Sequence, residues 1–468
     1  MIRWNAVAQH PLSLTCAAIA GAWMSAVNPA LAPLMSAMAK IFVGLLQMAA
    51  LPLMIVAIVF GLKRWLELPA PITRLLKLVG AGTVLVLFAA VLALLLAEIS
   101  LQLWRINEHD RATLGSLLDE AEQVLEFALL APNQATSPLD SIPLIAPNVF
   151  AALSNGALPS ILIITLIFGL ALNKQQGPAA LGMATQLEAI YRTLESLISR
   201  LNLLLPLAAW AMAGYAVAGV SAPLISAMRA LIIPLSLVAA GLITLCLIVL
   251  NIASKAGLWT TVLAMSRPIC ISLLSPSPAS LIPAYIDALS NRLGFSRGIV
   301  ELLIPTLPVF LRLGEVVYFT SLLVFLCGVY QHPLVGADWL ILISAAILAA
   351  GLAIHLQTGS LVMAAAIGFS WLELPVEAIL PHLLVLEVFS QGLRQAVSGL
   401  CTCALIAVTT ADLDTSPQIG TPWIGTPEES VWQIRLNSAQ SWVTVALIFL
   451  ALLFVFMMGM SLSLTGAQ

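Results

Sequence analysis

Long apolar runs separated by short polar stretches set the pattern of this chain. Runs near 12–36, 38–62, 76–104, 146–173, 198–222 and 229–254 predict spanning helices, since a crossing needs roughly 20 apolar residues. From 257 to 375 the apolar character continues, but Ser275-Pro276-Ser277-Pro278 and later His355-Leu356-Gln357-Thr358-Gly359-Ser360 interrupt it. Each interruption lies between apolar arms of roughly 12–20 residues, short for a full crossing. Residues 298–329 and 376–410 are again long enough to span, and 441–464 predicts one more ordinary helix. Two segments read as outside the bilayer. Residues 105–145 are acidic, with Leu117, Leu118, Val124, Leu125 and Phe127 spaced for a short amphipathic helix. Residues 412–438 carry Pro417, Gly420, Pro422, Gly425 and Pro427, a loop composition.

Composition sharpens this picture. Of the 468 residues, 61% are hydrophobic and 9% charged, whereas a soluble domain keeps roughly a quarter of its residues charged. A soluble enzyme, a nucleic-acid binder and a disordered chain are excluded, and the fold class is an all-α, multi-pass membrane protein. The net charge of −3 says little about partners. Cys16, Cys246, Cys270, Cys327, Cys401 and Cys403 fall almost entirely within apolar runs and read as small core residues rather than a disulfide framework or metal site. The run 12–36 reads as a first spanning helix rather than a cleaved leader.

With the N-terminus inside, most of the 19 lysines and arginines collect on that face, a positive-inside bias. The acidic 105–145 segment then lies outside. The first interrupted hairpin enters from the inside and the second from the outside. Hairpin-plus-helix repeated in opposite orientation is the pattern of broken segments in a secondary carrier. Non-helical backbone at membrane depth needs protein or a water cavity to satisfy it, and two hairpin tips meeting near the midplane would build such a cavity.

Four charges fall in the two spans that follow the hairpins: Arg312 and Glu315, then Glu387 and Arg394. Each costs at least roughly 2.5–3.5 kcal/mol to insert. Arg312 and Glu315, three apart, share a helical face and can neutralise one another; Glu387 and Arg394, seven apart, can do the same. The alternative reading gives Arg394 an anionic substrate, matched by its planar fork of donors. Ser275, Ser277 and Ser280 at the first hairpin tip can donate hydrogen bonds to a carboxylate or simply make a turn. Glu98 and His355 read as satisfied structural groups.

Three stretches stand out: Phe42-Val43-Gly44-Leu45-Leu46-Gln47-Met48-Ala49-Ala50-Leu51-Pro52-Leu53, Pro147-Asn148-Val149-Phe150-Ala151-Ala152-Leu153-Ser154-Asn155-Gly156, and Ser275 to Pro305. In order, they resemble the second helix, the fourth helix, and the serine-rich first hairpin with the lead into helix seven of the sodium:dicarboxylate symporter family, which includes the glutamate transporters and their prokaryotic homologues. The likeness runs over roughly 12–411. It implies a glutamate-transporter-like fold with two inverted re-entrant helical hairpins. An extra C-terminal helix has no family counterpart.

The resemblance also implies a division of labour. Residues 1–256 would be predominantly scaffold helices that trimerise, with the 105–145 insertion outside the cell. Residues 257–411 would form the transport core, 412–438 a cytoplasmic loop and 439–468 the added helix. Arg394 falls where the family keeps the arginine that grips a substrate's distal carboxylate. Gln391, Ser398, Thr402, the three tip serines, Thr358 and Gly359 complete the implied substrate site.

The departures matter as much. Leu311-Arg312-Leu313-Gly314-Glu315 stands where the family carries Asn-Met-Asp-Gly-Thr, which supplies sodium ligands; Gln391 replaces an aspartate, Ser398 an asparagine and Thr402 a second sodium-binding aspartate. Sodium wants hard oxygen ligands, and Leu311 and Leu313 offer no side-chain oxygen. Either the Arg312 guanidinium takes the place of a lost cation, or Glu315 or Glu387 carries a proton, since burial favours a neutral carboxylic acid.

The expectation is a secondary-active symporter of small organic anions, dicarboxylates or acidic amino acids. It would work by alternating access as a homotrimer in the cell membrane with a cytoplasmic N-terminus. No cofactor is called for beyond a coupling Na⁺ or H⁺, and no enzyme motif or nucleic-acid partner. The other reading is a transport-inactive relative acting as a membrane sensor, scaffold or passive anion leak.

Overall fold

The computed structural model describes residues 11–66, 68, 70–103, 148–154, 158–174, 178–218, 222–274, 281–331, 334, 336, 338–352 and 380–410. Every regular element among them is helical. The amphipathic stretch in 105–145, the first-hairpin tip, the second-hairpin tip with its returning arm, the 412–438 loop and the 441–464 run lie outside the described residues.

Helix α1 spans Pro11–Val27 and α2 spans Ala32–Leu66. The apolar run 12–36 is thus divided between two helices. Pro29 disfavours helical backbone at Asn28, and the Asn28 Oδ1 accepts the Ala30 amide at 3.3 Å as a short 3₁₀ turn, Pro29–Leu31, leads into α2. Helix α3, Pro71–Leu103, matches its predicted span. The 146–173 run holds α4, Val149–Ser154, and α5, Leu158–Lys174. Asn148 caps α4 by accepting the Phe150 amide at 2.9 Å.

Residues 178–201 form a helix that the apolar pattern alone does not flag. This α6, Pro178–Leu201, alternates apolar and polar faces and leads through a 3₁₀ turn, Asn202–Leu204, to α7, Leu205–Ala218. Helix α8 spans Ala222–Ser254 and α9 spans Leu258–Leu274. After the first-hairpin tip come α10, Ile282–Ile286, and a π-helical turn, Asp287–Arg292. Next are α11, Arg297–Phe310, α12, Leu313–Val329, α13, Asp338–Leu352, and α14, Leu380–Thr410.

Five stretches among the described residues are long and apolar enough to cross a membrane: Ala32–Lys63, Pro71–Leu103, Arg229–Ser254, Arg297–Val329 and Ser390–Thr410. They differ in surroundings. The most apolar window of Arg297–Val329 is 83% buried, that of Pro71–Leu103 only 33%. The first is therefore a central element and the second a peripheral one, with Leu76, Val84, Phe88 and Leu95 turned outward.

Packing sorts the helices into two groups. Helices α1, α2, α5, α6 and α7 pack on one another, with α1 against α7 and α2 against α5, α6 and α7. Helices α3, α8, α9, α12, α13 and α14 form the other group, with α8 against α14 and α3 against α12. Ser100 of α3 donates to the Ala230 carbonyl of α8 at 3.2 Å, and Arg74 of α3 donates to the Thr409 carbonyl at the end of α14 at 2.9 Å. Such an arginine satisfies a carbonyl that the helix end leaves open. Helix α11 lies at the seam, against α14 on one side and α2 on the other. A methyl at Gly61 of α2 would lie 2.7 Å from the Leu302 amide nitrogen and 2.8 Å from the Gly298 carbonyl oxygen. Only a residue without a Cβ lets these two backbones approach so closely.

Candidate functional site

The site grows from a break in the central span. The sequence predicts one helix over 298–329, but α11 stops at Phe310 and α12 starts at Leu313. Pro305 and Pro308 lie inside α11, and each removes one backbone hydrogen bond from the last turns. Leu311 and Arg312 then leave helical geometry, with ψ of 78° and 63°. A new N-terminus at membrane depth exposes amides that need partners. One comes from another helix: the Gly314 amide donates to Ser398 Oγ of α14 at 3.0 Å, with both groups buried.

Three glycines fix how closely α14 is approached. A methyl at Gly314 would overlap the Arg394 carbonyl oxygen, one at Gly392 the Leu273 carbonyl oxygen, and one at Gly399 the Tyr285 phenol. Helix α14 is therefore gripped by the start of α12, the end of α9 and the returning arm of the first hairpin. Gly392, Ala396, Gly399 and Cys403 share that face at helical spacing, and Ala396 and Cys403 are fully buried.

The close approach at Gly314 brings the charges together. Arg394, 4% exposed, donates from Nη1 to Glu315 Oε2 at 2.6 Å. The other carboxylate oxygen, Glu315 Oε1, lies 3.9 Å from Arg312 Nη1. The Arg394 guanidinium also lies over the Tyr318 ring, 4.6 Å from its centroid, within cation–π range. Glu315 sits in the first turn of α12, where the helix dipole favours a negative charge. One buried carboxylate is thus flanked by two guanidiniums.

Of the pairings that sequence spacing suggests, Arg312 with Glu315 is present but is the longer contact. The shorter one crosses between helices 79 positions apart. Spacing along one helix could not reveal it. Tyr318 was also missed, although it lies three residues beyond Glu315, one turn along the same helical face.

Ser398 and Thr402 lie buried on α14, one and two turns beyond Arg394. Ser398 Oγ accepts the Gly314 amide, and the Thr402 hydroxyl donates to the Ser398 carbonyl at 2.8 Å. They line a cavity of about 30 Å³ with Tyr285, Ile304, Pro308 and Gln395, room for a water or two. Gln391 is half-buried on the same helix. Glu387 also lies on α14, but its side chain is outside the described residues, as are Ser275, Ser277, Ser280, His355, Thr358 and Gly359. Glu98 accepts from Gln102 at 3.3 Å on α3.

The two described arms of the first hairpin fold back on each other. Ser272 of α9 and Tyr285 of α10 share a 2.9 Å hydrogen bond, and nearer the hairpin base Arg267 lies 4.0 Å from Asp287. Asp287 also meets Arg292 at 3.6 Å and accepts from Asn291 at 2.7 Å. Tyr285 therefore ties the arms together and braces Gly399 of α14. Cys246 of α8 and Cys401 of α14 have their sulfurs 3.5 Å apart, small core residues as the sequence suggests.

A second charged cluster lies where α6 meets α11. Arg297 Nη2 reaches both oxygens of Glu195 at 3.2 and 3.3 Å, and its Nε donates to Glu301 Oε1 at 2.6 Å. Its guanidinium lies 5.7 Å from the Tyr191 ring centroid. Burial first, and then the nearby Glu301 carboxylate, hold the Tyr191 phenol well above its ordinary range, so it stays a neutral ring beneath the cation.

A model of the sodium:dicarboxylate symporter family matches residues 11–410. Among curated proteins, none matches the chain.

Proposed function

The chain belongs to the sodium:dicarboxylate symporter family, whose members are transporters rather than enzymes, and on that premise we propose that it carries small organic anions with a proton in place of sodium. The observation that carries this reading is the buried 2.6 Å pair between Arg394 and Glu315. The arginine expected to grip a substrate carboxylate already holds a carboxylate belonging to the protein.

An incoming organic anion can trade places with Glu315. Its carboxylate takes the guanidinium of Arg394 while Glu315 accepts a proton and lets go. For a monoanionic carboxylate the site then carries the same total charge before and after binding, and the second charge of a dicarboxylate is met by Arg312, so no uncompensated ion is left in a low-dielectric interior. The anion and the proton cross together. Arg312 stays beside the carboxyl group, and Tyr318 covers the face of Arg394 throughout. This favours mono- or dicarboxylates over zwitterionic amino acids, because Gln391 offers no counter-charge for an ammonium group.

The sodium-ligand positions support the same view. Leu313 is fully buried and Leu311 half-buried, and their side chains carry no oxygen. The Ser398 and Thr402 hydroxyls serve the backbone of α12 and α14. The hairpins are read as re-entrant, with both tips closing over the site. Helices α3 and α8, which pack on α12 and α14, travel with residues 257–411, while α1, α2, α5, α6 and α7 form the frame and the trimer contacts.

The test is accumulation in proteoliposomes. A panel of carboxylates that includes succinate is offered under an inward proton gradient without sodium, and then under a sodium gradient at equal pH. The proton gradient should drive accumulation, and Arg394→Gln should abolish it. Strict dependence on sodium would overturn proton coupling. Binding without accumulation under either gradient would favour the transport-inactive reading.

A further inference from the structure

We infer that Arg297 is a latch between the two helix groups, clamped by Tyr191 and Glu195 of α6 and by Glu301 of α11, and that it must open for the substrate site to change sides. The inference rests on the alternating-access reading above, because only a moving core needs a seam that releases. Its physical basis is independent of substrate chemistry.

Helix α11 carries the break that positions Glu315, and it borders the α1–α2–α5–α6–α7 group through α2. The backbones meet at Gly61 and Gly298, one residue beyond Arg297. A glycine contact of this kind packs closely but makes no strong directional bond, so it can slide. The ionic clamp beside it supplies the directionality.

Glu195 and Tyr191 are four residues apart on α6, hence on one face. They meet the guanidinium from two directions, Glu195 at its donor edge and Tyr191 at its flat face. Glu301, 6% exposed, holds it from its own helix. Arg297 and Glu195 are 40% and 45% exposed, so the cross-helix pair can part and find water. The Arg297–Glu301 pair would stay with α11. The bond across the seam is therefore the weaker one, which is what a reversible latch requires.

The test reads the opening of the seam directly. Leu302, buried and facing Gly61, is changed to cysteine. Its reaction with N-ethylmaleimide is followed in membranes by mass spectrometry, which separates its peptide from those of the native thiols. Adding Glu195→Gln should speed labelling roughly two- to fivefold, the factor that loss of a half-exposed ion pair allows. Glu188→Gln, which removes an exposed pair with Arg192 elsewhere on α6, should leave the rate unchanged. Arg297→Gln strands the buried Glu301 and can fail to fold, so Glu195→Gln is the deciding variant. An unchanged rate in Glu195→Gln overturns the latch. This readout needs no transport, so failure of the carrier reading shows up separately, as absent accumulation in proteoliposomes.

Discussion

Two three-charge clusters in this molecule have opposite signs and opposite surroundings. At the break between α11 and α12, one carboxylate, Glu315, lies between two guanidiniums, Arg394 and Arg312. At the seam between α6 and α11, one guanidinium, Arg297, lies between two carboxylates, Glu195 and Glu301. The Arg394 side chain is 4% exposed and that of Arg297 40%. Burial decides what each can do. An ion pair withdrawn from water cannot simply open, because each partner would be left charged in a medium that penalises charge. It can change only by exchanging one partner for another ion or for a proton. A half-exposed pair can open into water at little cost. The buried cluster is therefore suited to handling a charged ligand and the exposed one to timing a movement.

The contrast can be broken most forcefully at its buried end. Arg394→Ala or Glu315→Ala alone should destabilise the protein by about 3–5 kcal/mol, seen as a large fall in the unfolding midpoint in detergent. The triple variant Arg394→Met, Glu315→Leu and Arg312→Met should recover much of that loss, because it removes all three charges and fills the space. Next in size is Gly314→Ala, whose methyl would push α12 off the Arg394 backbone. It should cost about 1–3 kcal/mol as an overpacked contact and weaken any carboxylate binding. Glu195→Gln should cost no more than about 1 kcal/mol in the same thermal assay, even though it loosens the seam. The smallest effect belongs to Glu188→Gln, an i,i+4 pair worth about 0.3–0.5 kcal/mol. A buried pair that tolerates single removal as easily as Glu195→Gln would erase the distinction between the two clusters.

Helices α3 and α14 could be read from sequence almost to their ends, because an uninterrupted apolar run has few alternatives to a spanning helix. Arg312, Glu315 and Arg394 could also be picked out, since charges inside such runs stand out by their cost. What could not be read is which helix faces which. Apolar all-round segments such as α12 carry no face to orient them, so the Glu315–Arg394 pair left no trace in local spacing. The break at Leu311 and Arg312 was hidden because both flanks are apolar; Pro305 and Pro308 with Gly314 were the available signal. Helix α6 escaped because its polar face, with Glu188, Arg192, Glu195 and Arg200, looks like a loop to a search for membrane spans. Leu187, Tyr191, Leu194 and Ile198, spaced by four, three and four, were the clue, and they form the face that packs.

The central claim is that Glu315 gives up Arg394 to an incoming anion and takes a proton as it does so. Infrared difference spectroscopy on the reconstituted protein, with a carboxylate that binds it added at constant pH without sodium, reads that event directly. The account predicts a protonated-carboxyl band that appears on binding in the native protein and is missing in Glu315→Gln. No such band on binding, or the same band in Glu315→Gln, would contradict it.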